Sequence, residues 1–285
     1  MLKQIFLVYQ NYRGNFFSVQ NIALALYFVT FIILLKIRSI KLLKSWFIPL
    51  FAMYFGLLIG TLFSIFLDGT VSDKYLAEYP VSTLILQAFN PLNPRGKVMF
   101  GGYLGSIFGI WFANYIFKRK SLSEFLNISA ISSSLFFAIW RIGCFLDGCC
   151  YGIPNETFGI SFPQRSLAFR ELKKNFPDLI VENTTVPLLP TQLFSFAYGF
   201  IIFLFLLIFF CKNKIRCPYF YFFAQMLLYG IGRFIIEFFR IDPRELWGYL
   251  SMSQWIALVM IAVSLFFFIR NRKEIAESFK NEADN

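Results

Sequence analysis

Long apolar stretches separated by short polar ones set the plan of this chain. Runs of about 20 predominantly apolar residues, the length a helix needs to cross a bilayer, fall at 21–35, 46–67, 98–117, 125–140, 193–211, 219–238 and 252–269. The pattern predicts an all-α, polytopic integral membrane protein of about seven transmembrane helices, forming a single membrane domain over residues 1–285. The stretch at 21–35 is short, and 125–140 carries Asn127 and several serines. Ahead of the first stretch, Lys3 and Arg13 stand in a mixed segment without a small-residue cleavage site, so the first helix is expected to be retained rather than removed as a signal peptide.

The connections alternate in charge. Lys36, Arg38, Lys41 and Lys44 follow the first stretch, Lys118, Arg119 and Lys120 the third, Lys212, Lys214 and Arg216 the fifth, and Arg270, Arg272 and Lys273 the last. The intervening connections, 68–97, 141–191 and 239–251, mix Asp and Glu with their cations. The positive-inside rule then predicts an N-terminus outside and a C-terminus in the cytoplasm.

Composition agrees with this plan. The chain is 58% hydrophobic and 15% charged, against roughly 45–50% and about 25% for soluble domains, and its 40 Phe suit lipid-facing surfaces. The formal charge of +11 raises nucleic acid as a partner. The cations, however, fall in short clusters between apolar runs, which is a topology signal and not a basic face. Histidine is absent, so no imidazole serves as base, proton shuttle or metal ligand. No inverted repeat of the transporter kind is visible.

Chemistry concentrates on the side opposite the basic loops. The outer-face segment 141–191 holds Gly, Pro and three Cys, and loops of that length are seldom mere connectors. Arg141 follows the fourth stretch, Arg233 lies about one turn inside the sixth, and Arg240 stands two turns beyond Arg233. A guanidinium in or beside hydrocarbon demands a partner, and phosphate matches its bidentate fork. The alternative for Arg233 is an ion pair with Glu237, four residues on and on the same helical face; for Arg141 and Arg240 it is snorkelling at the interface. Tyr229 shares a face with Arg233 and sits a turn deeper, so it addresses the same ligand or belongs to an aromatic belt.

Phe100-Gly101-Gly102-Tyr103-Leu104-Gly105, with Gly109 beyond, places small residues at helical spacing. That serves close helix contact, or approach of a lipid headgroup to the backbone. Cys144, Cys149 and Cys150 match no two-pair zinc spacing and have no histidine to complete a site, so no metal is expected. A disulfide in an oxidising outer compartment and small-residue packing in a re-entrant turn are the open readings. Cys211 and Cys217 fall on the reducing side.

The segment Arg141-Ile-Gly143-Cys144-Phe-Leu-Asp147-Gly148-Cys149-Cys150-Tyr151-Gly152 resembles the signature of the prolipoprotein diacylglyceryl transferases, seven-helix enzymes that modify the lipobox cysteine of bacterial lipoproteins. Phe100 to Gly105 is similar to the family's His-Gly-Gly-Leu-Ile-Gly, Pro190-Thr-Gln192-Leu-Phe194 to Pro-Ser-Gln-Leu-Tyr, and Tyr229 through Arg240 to Tyr-Gly-x-x-Arg-Phe-x-x-Glu-Phe-x-Arg. Ser251-Met-Ser-Gln254 resembles Ser-Met-Gly-Gln. The matches keep the family's order over about residues 99–254.

The resemblance implies substrates, phosphatidylglycerol and a prolipoprotein signal peptide with its lipobox cysteine, in the bacterial cytoplasmic (inner) membrane, and no cofactor. It places Arg141, Gly152, Arg233, Arg240, Gly101, Gly102 and Gln192 at substrate-binding positions, and Arg141, Tyr229 and Arg233 among the catalytic ones. The implied reaction is attack of the acceptor thiolate on the glycerol carbon that bears the phosphate, with glycerol 1-phosphate leaving. This chain departs from the family where Phe100 replaces the histidine, Cys144 and Asp147 replace asparagines, and Cys149 replaces a glutamate. The base therefore passes to Asp147, or the arginines enlarge the thiolate fraction of a thiol whose free pKa is about 8.5. The rival readings are transfer to another acceptor through Cys149 or Cys150 as a covalent relay, and a phospholipid-binding or transport protein without catalysis.

Overall fold

A computed structural model of the protein describes residues 15–41, 45–67, 89, 99–119, 121–212, 217–241 and 246–283. Its helices are α1 (Asn15–Ile37), α2 (Ile48–Leu67), α3 (Met99–Ile116), α4 (Leu122–Asp147), α5 (Leu167–Asn175), α6 (Thr191–Cys211), α7 (Phe220–Glu237), α8 (Met252–Arg270) and α9 (Arg272–Ala283). Strand is confined, among the described residues, to two antiparallel two-residue pairs, β1 (Ile180–Val181) with β2 (Thr184–Thr185) and β3 (Leu246–Trp247) with β4 (Leu250–Ser251). Each apolar stretch of the sequence falls on a helix. The connection 68–97, apart from Phe89, lies outside the described residues, as do Lys44, Lys120, Lys214 and Arg216.

Four described helices are long and apolar enough to cross a bilayer: Val19–Ile37, Leu122–Asp147, Thr191–Cys211 and Met252–Arg270. Their outward faces are greasy. Val29 and Ile33 of α1, Ile201 and Ile208 of α6, and Val259, Phe266 and Ile269 of α8 are exposed. Apolar stripes of this extent are stable facing lipid and not facing water. The protein is an all-α membrane protein.

α4 is the exception in polarity because it is buried. Asn127, Ser129, Ser132, Ser133 and Ser134 all lie inside, and Ser133 and Ser134 donate back to the Ala130 carbonyl at 3.0 and 2.9 Å. Hydroxyls that satisfy themselves on their own helix can be buried among other helices at little cost. The helix also runs past the predicted end at Trp140, as far as Asp147, because nothing from Arg141 onward breaks it before Gly148. Arg141 is therefore inside the helix and does not follow it.

The chain divides into two compact units, Phe28–Ser129 and the remainder, Met1–Tyr27 with Ala130–Asn285. Within Phe28–Ser129, α2 and α3 are pressed together along a glycine seam. A Cβ on Gly105 or Gly109 would overlap the carbonyl of Phe55 or Phe51, and one on Gly101 would lie 2.8 Å from the Phe63 side chain. Gly102 faces Gly56 with ordinary clearance, 3.6 Å from its carbonyl oxygen. Both Gly101 and Gly102 thus stand in a helix-contact surface. Arg38 pairs with Glu124 at 3.9 Å and Arg119 donates to Ser45 Oγ at 3.0 Å.

In the larger unit, residues 148–190 fold into a cap with a small core of its own, in which Tyr151, Phe162, Ala168, Leu172 and Leu188 pack on Phe145 of α4. Ser166 caps α5 by accepting from the Phe169 N–H at 3.1 Å. Tyr151 Oη donates to Glu171 Oε2 at 3.2 Å.

The seam gives a paired expectation. Gly105→Ala should lower stability in detergent by about 1–3 kcal/mol through overpacking, whereas Gly102→Ala should change it little. Thermal melting of both variants checks this, and equal effects would contradict the packing described.

Candidate functional site

The end of α4 is shaped by one glycine. Gly148 adopts φ 75°, its N–H bonds to the Phe145 carbonyl at 3.2 Å, and the Cys149 N–H reaches the Cys144 carbonyl at 3.1 Å. This is a Schellman termination, which requires a left-handed residue at that point. It reverses the chain so that Cys149 and Cys150 return beside the last turns of α4, where Arg141 and Cys144 lie three residues apart on one face. Arg141 is 7% exposed, and its Nη1 approaches Cys150 Sγ at 3.8 Å. The first turn of α6 holds the cysteine turn in place. Thr191 Oγ1 donates to the Cys150 carbonyl and Gln192 Nε2 to the Cys149 carbonyl, both at 2.6 Å.

α7 supplies the second wall. Tyr229, Arg233 and Glu237 follow at four-residue intervals and form a stripe along one face. Arg233 Nη2 lies 2.9 Å from Glu237 Oε2, and Arg240 Nη1 is 3.8 Å from the same oxygen. The other carboxylate oxygen accepts from Ser251 Oγ at 2.8 Å. Ser251 is itself the N-cap of α8, in a capping box with Gln254. Arg233 Nη2 also donates to Ser253 Oγ at 3.0 Å. Its Nη1 is buried without a hydrogen-bond partner among the described residues. The ion pair with Glu237 expected as the alternative for Arg233 is therefore present, yet it leaves half of the guanidinium fork unused and shares its carboxylate with Arg240.

Among the described residues, guanidiniums outnumber carboxylates here. Among the described residues, the Arg240 and Arg141 guanidiniums and the Glu237 carboxylate are the charges that act on Arg233, and Arg233 and Arg240 share that carboxylate. Burying a cation without a counter-ion costs several kcal/mol, and the arrangement suits an anion that would complete it.

Gly152 and Gln192 serve this wall from outside. The Gly152 N–H bonds to the Leu189 carbonyl at 2.9 Å, Ile153 N–H to the Phe239 carbonyl at 3.0 Å, and Gly152 bridges to Arg240. A Cβ on Gly152 would lie 2.6 Å from the Phe239 carbonyl oxygen. Its lack of a side chain is what lets the cap backbone approach the end of α7 and locate Arg240. Asp147, half-buried at the end of α4, has Arg170 of α5 and Cys150 among the groups that act on it electrostatically. Gly101 and Gly102 belong to the α2–α3 seam of the other unit.

One participant, Tyr198, was not singled out from the sequence. Tyr198 of α6 lies with its ring 6.0 Å from that of Tyr229, and Gly232 makes room for it, since a Cβ there would be 2.8 Å from the Tyr198 ring. Nothing local in the sequence marks Tyr198. Ser251 and Gln254 stand in the segment that resembles Ser-Met-Gly-Gln, but that the same serine also holds Glu237 is a tertiary fact.

All three cysteines of the turn are free, with their Sγ atoms within 4.8 Å of one another. Hydrogen bonds from Cys144 and Cys149, together with the Arg240 and Arg141 guanidiniums, hold the Cys150 thiol well below its ordinary range against the opposing effect of burial.

Removing the shared carboxylate should be costly. Glu237→Ala is expected to lower stability by about 3–5 kcal/mol, as for other buried pairs deprived of one partner, while Ser253→Ala should cost about 1 kcal/mol. Thermal melting in detergent compares them, and a Glu237→Ala protein as stable as the parent would refute the charge assignment.

A family model described as prolipoprotein diacylglyceryl transferase matches residues 17–270. Among curated proteins, the phosphatidylglycerol–prolipoprotein diacylglyceryl transferase 2 of Clostridium perfringens is 34% identical over 188 residues, covering 64% of this chain and 67% of that protein. The corresponding transferase of Clostridium tetani is 31% identical, covering 61% and 64%, and that of Dehalococcoides mccartyi 28% identical, covering 75% and 76%. The chain thus spans about two thirds of the length of the clostridial relatives it matches. With a family match running from α1 to the end of α8, this chain belongs to the prolipoprotein diacylglyceryl transferase family.

Proposed function

We propose that the protein transfers the diacylglyceryl group of phosphatidylglycerol to the lipobox cysteine thiol of a prolipoprotein signal peptide, forming a thioether. The observation that carries this reading is Arg233, a buried guanidinium beside Arg141 and Arg240, whose Nη1 has no hydrogen-bond partner among the described residues. Arg141, Arg233 and Arg240 clamp the lipid phosphate, and Tyr229 orients the headgroup from one turn deeper. Gly152 and Gln192 act by position, holding Arg240 and the cysteine turn.

In the reaction, the acceptor sulfur attacks the glycerol carbon, the carbon–oxygen bond breaks, and glycerol 1-phosphate departs with the bond pair. The growing charge on the phosphate meets three fixed cations in a site of low dielectric, where such stabilisation is largest. Asp147, beside Cys150, accepts the thiol proton in place of the missing histidine. Direct transfer is favoured over a relay through Cys149 or Cys150, because a relay would leave the diacylglyceryl group in an enzyme thioether whose carbon–sulfur bond a second thiol does not readily displace.

The same reading includes seven transmembrane helices in the bacterial cytoplasmic (inner) membrane, with the N-terminus and the site on the outer side and the C-terminus in the cytoplasm. This topology brings the arginines to the leaflet from which a secreted prolipoprotein presents its lipobox.

Arg233→Ala is the direct test. In an assay with phosphatidylglycerol and a lipobox peptide, thioether formation followed by mass spectrometry should fall about 100-fold or more, the usual loss for a preorganised donor to a developing anion. Full activity in this variant would remove the clamp, and retention of phosphatidylglycerol by the parent protein without any modified peptide would replace the enzyme with a binding protein.

A further inference from the structure

The phosphate clamp leaves the three cysteines without a role, although the fold gathers them with some care. Cys144 lies on the last turns of α4, and the Schellman reversal at Gly148 returns Cys149 so that its Sγ reaches the Cys144 carbonyl at 3.7 Å. Cys150 takes a left-handed conformation, φ 59°, unusual for a residue with a side chain, and its thiol meets Arg141 at 3.8 Å. Thr191 and Gln192 fix the two carbonyls of this turn. Simple small-residue packing requires none of this, and the thiols are not joined in a disulfide.

Their spacing fits a metal. In a tetrahedral zinc site with Zn–S of about 2.3 Å the sulfurs stand about 3.8 Å apart. Three thiols already within 4.8 Å of one another reach that geometry by closing through about 1 Å. The chain contains no histidine, and among the described residues the group holds only these three ligands. Three protein ligands with one open position is the arrangement of a reactive zinc site, whereas structural sites are closed by four. Three thiolates around a divalent ion carry one net negative charge, and the adjacent Arg141 offsets it. Surroundings that would repel a bare cation therefore suit the loaded site.

We propose that Cys144, Cys149 and Cys150 form a three-thiolate site for zinc whose open fourth position takes the acceptor cysteine thiol. This rests on the transferase reading above and adds to it an ion that acidifies the acceptor thiol, so that Asp147 can take its proton in a chain without histidine. The acceptor thiol binds the ion and releases its proton to solvent by way of Asp147, since a coordinating thiol is deprotonated outright. The metal-held sulfur then attacks the glycerol carbon; the carbon–sulfur bond forms, the carbon–oxygen bond breaks, and its electron pair leaves on glycerol 1-phosphate. The neutral thioether is a weak ligand and departs, returning the ion to its three thiolates with no change of oxidation state.

The experiment titrates the full chain in detergent micelles, stripped with a chelator, with Co²⁺ as a spectroscopic probe. The expected result is thiolate-to-cobalt charge-transfer absorption that saturates at one ion per chain and is displaced by Zn²⁺. It should be lost in Cys149→Ser and Cys150→Ser and kept in Cys211→Ser. A lipobox peptide should intensify the band, and the same peptide with its cysteine replaced by serine should not. Thioether formation by the stripped protein should fall about tenfold or more and return with zinc.

Absence of the band in protein whose thiols titrate as reduced, or a band indifferent to Cys149→Ser, overturns the proposal. Full thioether formation by stripped protein also overturns it while leaving the transferase reading intact. A peptide-responsive cobalt band in protein that forms no thioether upholds the metal site and sinks the transferase reading instead.

Discussion

Glu237 is the constraint around which the larger unit is organised. Its carboxylate lies in a helix of an apolar protein, 4% exposed at the side chain, between two guanidiniums on its own chain segment and a serine that begins the next membrane helix. It anchors Arg233 and Arg240 on one carboxylate and joins the end of α7 to the start of α8. A hydrophobic replacement would pack more cheaply in isolation. What Glu237 provides is placement: two cations held at fixed positions, with Arg233 Nη1 left without a hydrogen-bond partner among the described residues, which is the condition the proposed phosphate site needs.

The rest of the site depends on backbones that approach closely enough to put side chains opposite that stripe. Gly148 turns the chain at the end of α4, and Gly152 lets the cap run against the carbonyls of Leu189 and Phe239, so that Arg240 is located by main-chain contacts as well as by its ion pair. The polar start of α6 then clamps the cysteine turn. These contacts are short in range but distant in sequence, spanning 41 residues from Cys150 to Thr191. They explain how a cap with a core of only a few residues can hold charged groups in register.

Much of this was legible in the sequence, for identifiable reasons. Helix positions follow hydropathy, because every lipid-facing stretch must satisfy its own backbone, and the seven apolar stretches fall on α1–α4 and α6–α8. Two boundaries moved far, the start of α1, six residues earlier than expected, and the end of α4, seven residues later. A buried helix has no lipid-facing face to announce it, and Arg141 reads as an interfacial residue until its neighbours are known. The Tyr229, Arg233, Glu237 stripe was visible as four-residue spacing. Its connection to Ser251, the intrusion of Tyr198 over Gly232, and the convergence of three cysteines separated by an unremarked glycine turn are tertiary relations that no local pattern encodes. The absence of histidine is the plainest sequence fact and the one with the largest consequence, because it leaves Asp147 and the cysteines as the candidates for activating a thiol in the reaction proposed above.

The claim that three guanidiniums and one carboxylate form a phosphate site is tested most directly by lipid selectivity. Native mass spectrometry of the protein, released from micelles containing equal amounts of phosphatidylglycerol and phosphatidylcholine, reports which lipid stays bound. The account predicts one retained phosphatidylglycerol, lost from an Arg141→Gln, Arg240→Gln double variant. Equal retention of the two lipids, or retention of phosphatidylglycerol that ignores the double substitution, would contradict it.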